Sequence, residues 1–314
     1  MIEKTDHRIA SHCGEGQLLL RNKRLVGHGT PQAAKTVLFV HGATYGSTDT
    51  VDYALEDQSW LDVLASQGFD AWCLDLLGYG QSDRPTQMDQ PAQDHAPLVD
   101  TAFAVADVHQ AVSHILSLRS IQGVNLIGYS WGTAICASYA GQYPQNVNKL
   151  VLHGALWLEG LAPTGQTADN IGAYRTVDTA SMMTRWAIGL EANDINRVVS
   201  EEARLRWCEQ TVTCDPQHAS TGLLRAPTGV MKDYAQCRES GADWYDPALI
   251  QAPVQIVVGA WDAETTPAQG QRLFERLTHA VSKQMTVIGD GTHSLMLEKN
   301  RHQLHGVVAQ FLLS

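Results

Sequence analysis

Ser130 is the residue of this chain best placed for covalent chemistry. It stands in Gly128-Tyr-Ser-Trp-Gly132, a Gly-x-Ser-x-Gly run preceded by the apolar stretch Val124-Asn-Leu-Ile127 and followed at once by a helical pattern. This is the sequence form of a nucleophile elbow, a strand-to-helix turn so tight that the serine takes a strained backbone conformation. A side chain at either flanking glycine should collide with a neighbouring strand or helix. The turn lifts the hydroxyl above the sheet edge, over the positive end of the next helix.

A serine hydroxyl is a weak nucleophile at neutral pH. It needs a base in hydrogen-bond reach, and the base needs a third group to orient it. On an elbow these partners follow in the order serine, acid, histidine. The β-branched run at 254–258 reads as a buried strand, with Asp262 in the loop just beyond it. Gln284-Met-Thr-Val-Ile288 reads as another strand, and the glycine-rich loop after it carries His293. Thirteen histidines dilute the meaning of any one. His293 is chosen because strand, loop and downstream helical pattern agree. Glu264 and Asp290 are the rival acids, each otherwise a solvated loop carboxylate.

A tetrahedral intermediate also needs donors for its oxyanion. One is the backbone N–H of the residue after the nucleophile, Trp131; the second should come from the loop after an earlier strand. The segment Val37-Leu-Phe-Val-His41-Gly42-Ala43-Thr44-Tyr45-Gly46 supplies that loop. Ala43 is the expected donor, with Thr44 as the alternative. His41 reads as a brace for the loop.

The elements that must position these residues are legible. Residues 8–27 read as antiparallel edge strands. Strands at 36–41, 70–74, 123–127 and 149–153 then alternate with helices near 58–67, 99–118 and 133–143, which argues for a parallel sheet with helices on both faces. Each candidate residue follows a strand of that sheet, where open α/β sheets place ligands. The rhythm breaks after Leu152. About a hundred residues, too many for a structureless loop inside a domain, carry helical patterns around 169–190, 194–210 and 230–239. Residues 156–248 therefore read as a helical cap inserted over the strand ends, with 1–155 and 249–314 forming the core domain. Thr44, Tyr45, Trp157, Met182 and Trp186 are the expected pocket residues. The alternative for the cap residues Trp157, Trp186, Trp207, Trp244, Met182 and Met183 is packing. The cap holds eight Lys/Arg against thirteen Asp/Glu, so it is no general trap for anions.

Four blocks resemble the α/β-hydrolase superfamily: Val37 to Gly46 with its His-Gly; Asp75-Leu-Leu-Gly-Tyr-Gly80-Gln-Ser-Asp83; Gly128 to Gly132; and Asp262 with His293. They span nearly the whole chain in the family's order. The resemblance implies an α/β-hydrolase fold, a mostly parallel doubly wound sheet with an inserted helical cap, and a Ser-His-Asp hydrolytic site. It implies that Asp75 to Asp83 is a structural loop. A serine nucleophile argues against relatives such as epoxide hydrolases and haloalkane dehalogenases, which use an aspartate. The two motif loops together faintly resemble hydrolases of monoalkyl phthalates and related half-esters. Such a substrate would need a pocket Arg, Lys, His or helix N-terminus for its carboxylate.

The expected activity is hydrolysis of small carboxylic esters, with Ser130, His293 and Asp262 catalytic, Ala43 and Trp131 holding the oxyanion, and no cofactor. The same triad could cleave a carbon–carbon bond or a lactone. A ligand-binding homologue without turnover is the non-enzymatic alternative, disfavoured because binding alone does not require all three residues. A net charge of −11 argues against nucleic acid and anionic membranes as partners. The polar N-terminus and the lack of a long apolar run predict no signal peptide, no membrane span and a cytoplasmic location. The six cysteines show no C-x-x-C pairing, so reduced thiols and no metal site are expected.

Overall fold

The computed structural model describes residues 1–27, 29–56, 58–157, 171–191 and 194–314. Among these residues β1 (Ile2–Ala10), β2 (Gln17–Leu25), β3 (Thr36–Val40), β4 (Asp70–Asp75), β5 (Val124–Tyr129) and β6 (Val147–His153) join β9 (Val254–Gly259) and β10 (Lys283–Ile288) in one eight-stranded sheet. Its order is β1-β2-β4-β3-β5-β6-β9-β10. The β1–β2 and β2–β4 pairs are antiparallel and all the others parallel. The central strands β3, β4, β5 and β9 are buried along their whole length, as strands covered on both faces must be. β1 is largely exposed and starts earlier than the expected residue 8, because an edge strand can be extended without an apolar stripe.

Side-chain alternation along the strands builds two apolar layers. Leu38, Val40, Leu126 and Ile256 pack with α2 (Thr101–Arg119), α3 (Trp131–Gln142) and α9 (Pro267–Arg276) on one face. Val37, Phe39, Ile127 and Val257 pack with α1 (Trp60–Ser66) and α10 (Arg301–Leu313) on the other. Helix starts are set by side chains that answer free backbone donors. Ser59 and Asp62 form a capping box on α1, Thr266 and Gln269 one on α9, and Asp100 caps α2.

Between β6 and β9 the described chain leaves the sheet. It forms β7 (Tyr174–Val177), α4 (Thr179–Trp186), α5 (Ile195–Val198), α6 (Glu201–Val212), α7 (His218–Thr221), β8 (Leu224–Pro227) and α8 (Gly229–Ser240). The helical pattern expected over 169–190 is corrected here. Residues 174–177 are a strand paired antiparallel with β8, as the β-prone Tyr174, Thr176 and Val177 favour. The helix begins only at Thr179, where Asp178 and Ser181 close a capping box. The first part of the expected insertion, 158–170, lies outside the described residues, as do 192 and 193. Among the described residues no helix is long and apolar enough to cross a membrane, and no cluster of His, Cys, Asp and Glu could hold a metal.

Candidate active site

Ser130 joins β5 to α3 with φ 53° and ψ −121°, a left-handed backbone that costs a non-glycine residue energy. The flanking glycines make the turn possible. A Cβ on Gly128 would lie 2.4 Å from the Gly132 carbonyl oxygen, and one on Gly132 would lie 2.2 Å from that of Val40. The Ser130 amide donates to the His153 carbonyl at 2.9 Å, and its own carbonyl accepts from the Thr133 amide at 2.9 Å. The strained turn is therefore held on both sides.

The loop after β10 brings His293 Nε2 to 2.8 Å from Ser130 Oγ. His293 Nδ1 lies 2.9 Å from Asp262 Oδ2, in the loop after β9. With Asp262 ionised, Nδ1 carries the proton and Nε2 keeps a lone pair facing the serine hydroxyl. Asp262 is nearly fully buried yet well supplied with donors. Its Oδ1 accepts from the amides of Glu264 (2.9 Å) and Thr265 (2.8 Å), and its Oδ2 from Thr265 Oγ1 (2.8 Å). Burial pushes this carboxyl up, but the charge and hydrogen bond of His293 and the donors of Thr265 outweigh it and hold it below the ordinary value. Burial pushes His293 down; Asp262 overrides that, and the imidazole ends above the ordinary histidine range. Thr265 has no sequence signal beyond its place three residues after Asp262.

The two rival carboxylates lie elsewhere. Glu264 receives Arg185 Nε at 3.1 Å and Nη2 at 2.6 Å, and its nearest approach to His293 is 4.0 Å, at Nε2 rather than Nδ1. Asp290 is half-exposed and pairs with Arg197 at 3.0 Å.

The loop after β3 is braced from beneath. His41 is fully buried, with Nδ1 2.7 Å from the Gly42 carbonyl and Nε2 accepting from the Leu76 amide at 3.1 Å. This fixes a neutral tautomer, and burial holds its pKa low. Asp75 accepts from Thr48 N, Thr48 Oγ1 and Gln81 N at 3.0, 2.8 and 2.8 Å, so it ties this loop to the one after β4. Among the described residues the amides of Ala43, Thr44 and Trp131 have no acceptor. The Trp131 indole donates to Thr101 Oγ1 at 2.9 Å, where the Trp244 indole also donates at 2.8 Å.

A cavity opens over Ser130 and His293. Ala43, Tyr45, Met182, Arg185, Trp186 and Trp207 line it, together with Glu264. Trp157 and Thr44, both expected in the pocket, are not part of this lining. Trp157 is buried in the core, its ring 5.8 Å from the Arg276 guanidinium. Thr44 is buried with φ 85° and accepts hydrogen bonds from Arg175 and Arg185. The tryptophans of the inserted segment tie it to the core. Trp186 Nε1 donates to Glu298 at 3.0 Å, Trp207 Nε1 to the Asp49 carbonyl at 2.6 Å, and the two rings meet edge to face at 5.0 Å. Arg185 was not singled out from the sequence. Its spacing from Met182 and Trp186, three and one residues along one helix, was the available signal.

The family model for the alpha/beta hydrolase fold matches residues 35–300. An uncharacterised protein of Mycobacterium tuberculosis is 29% identical over 134 residues, 42% of this chain and 31% of that protein. The chain thus spans about a third of the length of the mycobacterial relatives it matches. A protein of Bacillus subtilis, provisionally named as a 2-succinyl-6-hydroxy-2,4-cyclohexadiene-1-carboxylate synthase, is 24% identical over 294 residues, covering 90% of this chain and 92% of that one. An esterase from Exiguobacterium antarcticum superposes with a TM-score of 0.62 at 16% identity, covering 99% of this chain and 100% of that one. A meta-cleavage product hydrolase from Pseudomonas fluorescens superposes with a TM-score of 0.63 at 17% identity, covering 97% and 96%. At these identities the two structures establish the fold alone. With the family model spanning most of the chain and the sheet, elbow and loops in the arrangement described, the protein belongs to the α/β-hydrolase fold family.

Proposed function

We propose that this protein is a serine hydrolase that cleaves small carboxylic esters through an acyl-enzyme. The observation that carries the reading is the continuous hydrogen-bond path from Ser130 Oγ through His293 to Asp262, at 2.8 and 2.9 Å. Ser130 Oγ attacks the acyl carbon while His293 Nε2 takes its proton. The developing oxyanion accepts from the Trp131 and Ala43 amides, which have no other acceptor among the described residues. His293 then donates the proton to the leaving alcohol. A water, deprotonated by His293, attacks the acyl-enzyme and releases the acid as His293 returns the proton to Ser130 Oγ. Asp262 accepts the Nδ1–H throughout, which keeps the imidazole in its useful tautomer and stabilises the imidazolium. No step calls for a cofactor. Residues 156–248 act as a cap whose Met182, Trp186 and Trp207 bound the substrate.

A second reading keeps the same residues and cleaves a carbon–carbon bond. It is the activity named for one protein of the same fold, the meta-cleavage product hydrolase. The test is a fluorophosphonate probe with a panel of p-nitrophenyl esters, half-esters, lactones and a ring-fission diketone. Ester turnover with the adduct on Ser130 supports the first reading, and turnover of the diketone alone supports the second. Neither adduct nor turnover would remove both.

A further inference from the structure

Two guanidinium groups and one carboxylate meet beside the proposed oxyanion loop, and the charges do not balance. Arg185 Nη1 donates to Thr44 Oγ1 at 3.2 Å, while its Nε and Nη2 hold Glu264. Arg175, on β7, donates Nη2 to the same Thr44 oxygen. Among the described residues no carboxylate pairs with Arg175, and its Nε is buried without a hydrogen-bond partner. Arg21, Arg119 and Arg225 each meet an aspartate at 2.7 to 2.9 Å; Arg84 and Arg204 share with Arg175 a buried Nε without a partner, but neither lies at the cavity over Ser130. Burying an unpaired charge is costly. Burial indeed pulls the Arg175 pKa down, with Arg185 adding to the effect.

Thr44 sharpens the point. It is a β-branched residue at φ 85°, a backbone such residues avoid. Its oxygen accepts from both arginines, which uses its two lone pairs. Its own proton has no acceptor among the described residues. Thr44 follows Ala43, and Arg185 lines the cavity with Ser130, His293 and Ala43.

We propose that Arg185 is the cavity face of an anion subsite next to the scissile bond, with Thr44 and Arg175 behind it and Arg175 supplying the uncompensated positive charge. Its ligand is a carboxylate on the substrate, which a cationic pair of guanidinium groups attracts more strongly than it does a neutral ester carbonyl. The substrate class narrows to half-esters of dicarboxylic acids. This rests on the ester-hydrolase reading. Glu264 keeps Arg185 aimed across the cavity and cancels its charge, which leaves the charge of Arg175 in excess, so the bound anion answers Arg175 rather than displacing Glu264.

The probes are the monomethyl and dimethyl esters of succinic, glutaric and phthalic acids. Calorimetry on the Ser130→Ala protein should show at least one monoanion bound about tenfold or more tighter than its diester, with the advantage shrinking as salt rises. In the active protein Arg175→Gln should lower the ratio of kcat/KM for that half-ester over its diester by about tenfold, and Arg175→Lys should recover part of it. A merely structural role for Arg175 would move both esters together and leave the ratio unchanged. Should Arg175→Gln not fold, the salt dependence of the Ser130→Ala protein decides. Equal binding of every mono- and diester pair, or a ratio indifferent to Arg175→Gln, overturns the subsite even if diesters are hydrolysed. Turnover of neither ester with no adduct on Ser130 removes the ester reading, while the binding comparison still decides the subsite.

Discussion

The loops at the carboxyl ends of β5, β9 and β10 and the segment inserted between β6 and β9 answer charge differently at Asp262 and at Arg175, although the insertion also pairs Arg225 with Asp215 at 2.9 Å. In the loops the Asp262 carboxylate and the His293 imidazole are answered from within the chain. Asp262 takes three donors besides His293, and His293 uses both ring nitrogens. The inserted segment instead sets the half-buried Arg175 against a threonine with no carboxylate among the described residues. A closed hydrogen-bond path has its geometry before substrate arrives, which is the preorganisation that catalysis needs. An unanswered charge is stabilised only when a ligand comes. The core loops thus fit the chemical step, and the insertion fits selection of what undergoes it.

Removing the path should have the largest effect. Ser130→Ala and His293→Ala should each lower kcat by about 10⁴ to 10⁶, because such groups act as a unit, while circular dichroism and melting show a folded protein. A variant retaining more than a small fraction of the rate would mean that the path is not the catalytic apparatus.

Asp262→Asn should cost about 10⁴ in kcat. The amide favours a hydrogen bond into Nδ1, which puts the proton on Nε2 facing Ser130 instead of a lone pair. Glu264→Gln is the control two residues away, since Glu264 faces Arg185 and only approaches Nε2. If steady-state kinetics rank Glu264→Gln as the worse variant, the acid has been assigned to the wrong carboxylate.

The pH profile sharpens the same contrast. His293 must be neutral to accept the serine proton, and Asp262 raises its pKa above the ordinary histidine value. Activity should therefore be lost as pH falls through a single ionisation lying above that of an ordinary histidine. Glu264 also raises His293, so Glu264→Gln should move the midpoint of kcat/KM to lower pH. A profile flat through this range would exclude a histidine base.

The smallest effect concerns the insertion. Each further buried methylene of the substrate should gain about 0.8 kcal/mol until the cavity ends. Met182→Ala should shift that cutoff toward longer chains and change the rate on the shortest ester little relative to the longer ones. An unmoved cutoff in kcat/KM across an alkyl series would make Met182 and its neighbours a cover only.

Much of this was legible in the sequence because it is local. Gly-x-Ser-x-Gly between an apolar run and a helical pattern can satisfy its backbone in few ways. The β-branched runs before Asp262 and His293 place both in loops at one sheet edge, whatever their partners. Short-range sterics and burial on both faces decide such features. What the sequence left open depends on side chains distant in the chain. Asp262 and Glu264 are both loop carboxylates, and only the docking of Arg185, 79 residues away, draws Glu264 off. Trp157 and Trp186 are alike as residue types, yet one sits in the core and the other reaches Glu298 beside the cavity. β7 was hidden in a helical pattern because four residues pair only once β8, nearly fifty residues on, lies beside them. The meeting of Arg175 and Arg185 at Thr44 was beyond any charge count. A count over 156–248 sees a net acidic segment, whereas electrostatics inside a fold depends on which charges are buried together and which are left to water.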